Sequence, residues 1–457
     1  MWATHRIAKG SVPALTSSSN SIDLRIPPRW RLGTRIAFRL AFCYLMQYAL
    51  LCGHRTLLSV IPRFGAPLEE RAALLYLLPA RWVGVHLFHL TGASAVIHRG
   101  AFGDHALDWI AAGLMLAVSV VATCVWSLID RRRPAYPRLF SLLRWVLRLT
   151  LVLSILWYAS IKIFPVQIES PSLAVLNEPV GSTSPMTMLW TVLGMNPAYE
   201  RVCGAIELLC ALLLLWRRTA LSGVLLALVV LANIVLFDVF FDVPVRLYAA
   251  NLLLMALTLL APDVRALLQF LWTQQPVTPR SAWRLYGTQR SVQIASLAFD
   301  LLVLLTALRL FTYAHGQAAR EESGEQHPPT LSGEWRIEPA ETSSGHAAGA
   351  ASNGDFGRAT EIYLEPSGRV TARLRDGLLH GGGHYDIASH TIDIPSGTGA
   401  NIRYTFLQPD AMHLVLAAGP GLRTLDLTRM PLPGHYPLLD RIHERGLHLV
   451  EEFEVAR

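Results

Sequence analysis

Seven stretches of this 457-residue chain are apolar over about the length of a membrane helix, and that constrains it more than any other feature. The hydrocarbon core of a bilayer is about 30 Å thick and takes about 20 apolar residues in a helix. No backbone N–H or C=O can go unpaired inside it, so only helices and closed barrels cross. The stretches are Leu32–Cys52, Leu107–Ile129, Leu143–Phe164, Tyr199–Trp216, Ala220–Phe241, Val245–Ala261 and Val292–Ala314. An eighth, Ala72–Ile97, contains Pro79, Arg81, His86 and His89 and reads as an interfacial or re-entrant helix.

After Ala314 the pattern changes. Residues 316–330 are polar and acidic, a linker composition, and short alternating segments follow in 331–457. Thr360–Glu365, Arg369–Arg375, His384–Ile387, Thr391–Ile394, Ile402–Leu407, Met412–Ala417 and Leu422–Thr428 read as strands. Turn signals such as Pro366-Ser-Gly368 and Gly419-Pro-Gly421 separate them. The expected fold is an α-helical polytopic membrane bundle of about seven spans over 32–315, then an antiparallel all-β, barrel- or sandwich-like soluble domain. Gly333-Glu-Trp335 resembles the strand that opens lipocalin-type barrels. From His435 onward a short helix and a terminal strand are expected.

Charge predicts orientation. Basic residues favour cytosolic loops. Arg25, Arg29 and Arg31 in the tail 1–31, Arg131 to Arg138, Arg217 and Arg218, and Arg280 to Arg290 fall on one side if seven spans are counted. The opposite loop, Pro165 to Pro197, has no Lys or Arg but has Glu169 and Glu178. The N-terminus is therefore expected in the cytosol, with the β domain periplasmic or extracellular. The arginines of the long first outer loop, Arg55 to Arg99, run against the rule, which weakens for long loops. The net charge of +7 belongs to these loops and is no nucleic-acid footprint. All five cysteines lie in or beside apolar segments, without a C-x-x-C, and read as packed free thiols.

Polar residues inside spans are costly and mark function by default. Glu207 lies mid-span on a face with Cys203, Cys210 and Ala211, small residues that let a neighbouring helix approach. It is either proton-linked or a hydrogen-bonded lock between helices. Lys162 shares a face with Tyr158, one turn earlier; it either snorkels outward or acts as a desolvated base. Asn233, Asp238, Asp242 and Arg246 form the densest polar run, with Arg246 able to reach Asp242. They read either as a capped outer turn or as a pocket closed by Phe164-Pro-Val-Gln167 and Gly181–Met186. Asp104 and Asp108 read as caps of the second span. His380, His384 and His390 sit around a Gly-rich hairpin without a metal-ligand pattern, so no metal is expected. Phosphate-loop, Gly-x-Ser-x-Gly and His-Glu-x-x-His motifs are absent.

Tyr158-Ala-Ser-Ile-Lys162-Ile-Phe164, Gly204-Ala-Ile-Glu207-Leu-Leu and Leu212-Leu-Leu-Leu-Trp216-Arg-Arg-Thr219 together resemble DoxX-like membrane proteins. The resemblance covers about 144–263. Phe164-Pro-Val-Gln167, Ser184-Pro-Met186 and Asp242-Val-Pro-Val-Arg246 look like a larger bacterial subgroup. The resemblance implies a bacterial plasma-membrane protein with Lys162 and Glu207 as the candidate catalytic pair. With the polar residues read above, the expectation is an outward-facing pocket with Tyr158, Gln167, Asn233, Asp238, Asp242 and Arg246, serving quinone-linked redox chemistry or a lipid-like ligand. The alternative is a non-enzymatic anchor that presents the β domain to a protein partner. A transporter is weaker, since no internal repeat and no matched pair of broken helices is visible.

Overall fold

The computed structural model describes residues 29–51, 57–61, 63–97, 104–168, 170–274, 290–324, 331–338, 359–365, 368–374, 377–395, 401–418 and 424–431. The expected tail elements beyond His435 lie outside these residues. The helices are α1 (Leu32–Leu51), α2 (Gly65–His86), α3 (Ala106–Ile129), α4 (Pro137–Ile163), α5 (Leu173–Leu176), α6 (Pro185–Gly194), α7 (Pro197–Leu215), α8 (Ala220–Phe240), α9 (Arg246–Leu260), α10 (Val264–Thr273) and α11 (Arg290–Gly324). All seven apolar stretches fold into helices. By length and composition four helices, α3, α4, α8 and α11, are able to cross a membrane; a fifth joins them if α9 and α10, bent by 69°, are one broken span. The protein is therefore membrane-embedded.

The second unit is an eight-stranded closed barrel: β1 (Gly333–Ile337), β2 (Ala359–Leu364), β3 (Arg369–Leu374), β4 (Gly377–Asp386), β5 (Thr391–Pro395), β6 (Asn401–Leu407), β7 (His413–Ala418) and β8 (Leu425–Arg429). Each strand pairs antiparallel with the next, and β8 returns to β1 through Trp335 opposite Arg429. Inward residues alternate with outward ones, as the pleat requires. Trp335, Ile362, Leu364, Tyr385, Tyr404 and Leu416 pack in the interior. Trp335 donates its indole N–H to the Leu331 carbonyl at 2.9 Å, which satisfies its one polar atom, and Arg429 stacks over its ring at 5.3 Å.

Two expectations are corrected. The run Gly381–Gly383 is strand, inside β4, and the chain turns later, at 387–390. The stretch after Gly316 reads as linker by composition, yet α11 continues to Gly324. Glu321 and Glu322 carry the linker signal, but both are good helix formers and extend a helix already nucleated upstream.

Contacts at the helix ends set their directions. Near the start of α1, Arg39 hydrogen-bonds Ser127 and the Asp130 carbonyl at the end of α3, at 2.8 and 2.7 Å. Trp30 and Arg39 also meet Pro134 and Tyr136 just before α4. The end of α4 meets the start of α7, and the end of α7 meets the start of α8. Asp104, before α3, binds the start of α9. Asp300, near the start of α11, pairs with Arg148 in α4 and with Arg217 beyond α7, both at 3.6 Å. Thus α1, α4, α8 and α11 run one way, and α3, α7 and α9 run the other. The barrel rests on α5, beyond the end of α4, and marks that end of the bundle. By the same contacts α1 finishes and α3 begins at this barrel end.

Helix α4 is the centre. Of its most apolar window 72% is buried, against 17% for α3 and 28% for α8. Close approach to it and around it depends on glycine. A Cβ at Gly223 would lie 2.6 Å from the Leu214 backbone nitrogen, whereas Gly113 on α3 has nothing within 4 Å. Gly223→Ala should therefore cost about 1–3 kcal/mol through overpacking. Gly113→Ala should cost nothing, because alanine is the better helix former. Paired thermal melts of the detergent-solubilised variants check this; equal melting temperatures would show that the α7–α8 turn is not tightly packed.

Candidate functional site

The last turn of α4 carries Tyr158 and Lys162 on one face. Opposite it, α7 presents Gly204, and a Cβ there would sit 2.9 Å from both the Ile163 nitrogen and the Lys162 Cβ. The glycine lets the two backbones touch. One turn later on the same face stands Glu207, delivered directly to the ammonium. Lys162 Nζ donates to Glu207 Oε1, and both side chains are largely buried. The ammonium also lies 5.8 Å from the Tyr158 ring centroid. An outward-snorkelling Lys162 is thereby corrected. Its ammonium meets Glu207, midway along α7, so its partner is a carboxylate rather than water.

This pair stands at the edge of a cavity of about 710 Å³ enclosed by α4, α6, α7, α8 and α9. Tyr158, Lys162, Gln167, Glu207, Asn233 and Asp238, all expected from the sequence, line it. Met186 at the start of α6 also reaches it, on a helix capped by Ser184, which accepts from the Thr187 N–H at 3.1 Å. The rest is largely apolar, from Leu189, Trp190 and Leu193 on α6 to Leu226, Val230 and Phe237 on α8.

Asp242 and Arg246 are corrected. Neither lines the cavity. Asp242 adopts a left-handed conformation (φ 57°) just past α8, which turns its side chain outward, 70% exposed. Arg246 does reach it, at 2.9 Å, as its position predicts, but its Nε also binds Asp104 at 2.9 Å. Asp104, expected to cap α3, caps α9 instead: its carboxylate accepts from the Arg246 and Leu247 backbone N–H groups at 2.8 and 3.0 Å. Asp108 does serve α3, accepting from the His105 N–H at 3.1 Å. No cluster of His, Cys, Asp or Glu among the described residues has metal-binding geometry.

Sequence reasoning misses Glu200. It is 2% exposed, lines the cavity and accepts the Ile168 N–H at 3.2 Å. Its signal is its spacing: Glu200, Gly204 and Glu207 recur on one helical face. Among the described residues, Glu200 Oε2, Glu207 Oε2, Asp238 Oδ2 and Gln167 Oε1 are buried without a hydrogen-bond partner, and all four residues line the same cavity.

The loop over the cavity holds the barrel. Leu173, first in α5, donates its N–H to Glu365 Oε1 at 2.9 Å. Arg373 reaches the Ala174 carbonyl at 3.4 Å, and Asn177 meets Glu334 at 3.5 Å. Burial raises the Glu365 pKa, partly opposed by the Leu173 N–H and by Arg369.

A stretch of 98 residues, 21% of this chain, is 35% identical to the uncharacterized protein YwoB of Bacillus subtilis (strain 168) and spans 63% of that protein's length. No family model matches the chain, and no solved structure matches it.

The buried pair and the barrel latch each carry a measurable consequence. Lys162→Met alone leaves Glu207 buried beside no cation and should destabilise the bundle by about 3–5 kcal/mol, whereas Lys162→Met with Glu207→Leu should restore most of that loss. Melting the single and double variants in nanodiscs checks it; a double variant no better than the single would refute a buried pair. At the barrel, a raised carboxyl pKa contributes stability below the ordinary Glu range that is lost as pH rises through the raised value. Glu365→Gln should therefore gain on the wild type as pH increases. A melting difference that stays constant from acid to neutral pH would contradict this.

Proposed function

We propose that this chain is a bacterial plasma-membrane protein of the DoxX-like class whose cavity receives an amphipathic, lipid-like molecule from the bilayer, a quinone being one member of that class. One observation carries the reading. Ile206 and Val229, at mid-height of α7 and α8, line the cavity and are 43% and 69% exposed. We read this exposure as a sideways opening between these helices, at the depth where lipid tails lie. Its polar groups cluster toward the barrel end and its apolar wall faces the opening, the arrangement an amphiphile needs. The alternating helix directions support seven passes, and the arginine-rich loops at the far end support a cytosolic N-terminus with the barrel outside.

The anchor reading draws on the barrel, whose packed interior leaves its outer surface for a protein partner. Deleting 331–457 separates the two: an anchor loses its function, while a lipid-binding bundle keeps its ligand. The direct test is extraction and mass spectrometry of what co-purifies with the detergent-solubilised protein. A specific amphiphile should accompany the wild type and fall at least about tenfold in Val229→Trp, which plugs the opening with a loss of about 1.4 kcal/mol or more. If the folded wild type carries nothing beyond bulk lipid, the proposal is wrong.

A further inference from the structure

The cavity has a mismatch in hydrogen-bonding capacity. Glu200, Glu207 and Asp238 are each only 2–3% exposed, and each keeps one oxygen without a partner among the described residues. Gln167 adds a fourth unpartnered acceptor, its carbonyl oxygen. Against three carboxylates stands one cation among the described lining residues, Lys162, already engaged by Glu207. With the acids ionised the lining is thus short of positive charge by two, and its own donors, on Tyr158, Trp190 and Asn233 among others, leave these four oxygens unpaired. Arg246, the nearest arginine in sequence to Asp238, is turned away into its clamp with Asp104 and Asp242 and lines no part of the cavity.

A buried acceptor is satisfied by a donor, and a buried charge by an opposite charge. A polar end that only accepts, such as the ketones of a quinone, an ester, a carboxylate or a phosphate, would leave these four oxygens unmet, so within the lipid-like class the cavity favours a head group that donates. A protonated amine or guanidine supplies both missing quantities at once. The distance also suits a tail: Asp238 and Val229 are nine residues apart on α8, about 13 Å along the axis. A medium alkyl chain covers that run from the acids to the lateral opening.

Resting on the ligand-binding reading above, we propose that the cavity selects an amphipathic cation, whose N–H groups meet the free oxygens of Glu200 and Asp238 while its tail lies along α8 toward Val229. The ligand class is a primary amine or guanidine on an apolar chain.

The test uses the full-length protein in nanodiscs of zwitterionic lipid and four probes sharing one tail: dodecylamine, dodecyltrimethylammonium, dodecanol and dodecanoate. Binding is read by native mass spectrometry, against Asp238→Asn and Glu200→Gln. Dodecylamine should bind about tenfold or more tightly than dodecanol and dodecanoate, as charge-assisted hydrogen bonds to buried carboxylates require. Dodecyltrimethylammonium, charged but without N–H donors, should fall between. Both variants should lose the preference for the amine yet still bind dodecanol. If dodecanol or dodecanoate binds as well as the amine, the head-group inference is overturned while the lipid-like pocket stands. If the trimethylated probe equals the amine, donor recognition is overturned. If no probe binds above the bilayer background, the pocket reading itself fails and takes this inference with it. The probe series on wild-type protein decides between these outcomes even where a variant folds poorly.

Discussion

Inside an apolar bundle an ionised side chain must find its opposite, and here three such meetings hold α4 in place. At the barrel end Lys162 is tied to Glu207 on α7. At the far end Arg148 and Arg217 share Asp300 on α11, and Arg144 meets Asp263 at 3.8 Å beyond α9. Salt bridges of this kind add little net stability, since desolvation offsets attraction. They do penalise every packing that separates the partners. The central helix is thus held against sliding by polar ties at both ends, and the cavity beside it is walled by α4, α6, α7, α8 and α9.

The elements were legible because their signals are local. A run of about 20 apolar residues is helical in hydrocarbon whatever its neighbours do, and strict alternation between turn residues marks strands. Six of the eight residues assigned to the pocket do line it, since each is a polar side chain in an apolar segment. What was not legible depends on pairs far apart in sequence. Asp104 looks like the cap of the helix it precedes, yet its partner is Arg246, 142 residues on. The outward turn of Asp242 follows from one left-handed residue, which Asp tolerates and sequence does not announce. Glu200 is easily overlooked because an acid in the first turn of a helix is ordinary; only the loop at Ile168, folded against it, makes it part of the site.

The two units meet through few atoms, but those atoms are well placed. The chain segment that carries α5 leads directly into α6, which supplies one wall of the cavity. Helix α11 enters from the other side and runs about 52 Å at 1.5 Å per residue, well beyond a bilayer core of about 30 Å. The barrel is therefore held both by a stalk and by a latch on the cavity's roof, and its position bears on the shape of the space beneath.

The return of β8 to β1 also limits the company the barrel can keep. A sheet with a first and a last strand offers bare N–H and C=O groups to any extended peptide, and many recognition domains and most amyloids grow by that route. A ring of strands has no such vacancy. Whatever meets the ring of described strands must be told apart by side chains, and among those strands neighbouring copies crowded on the same membrane find no edge by which to zip together.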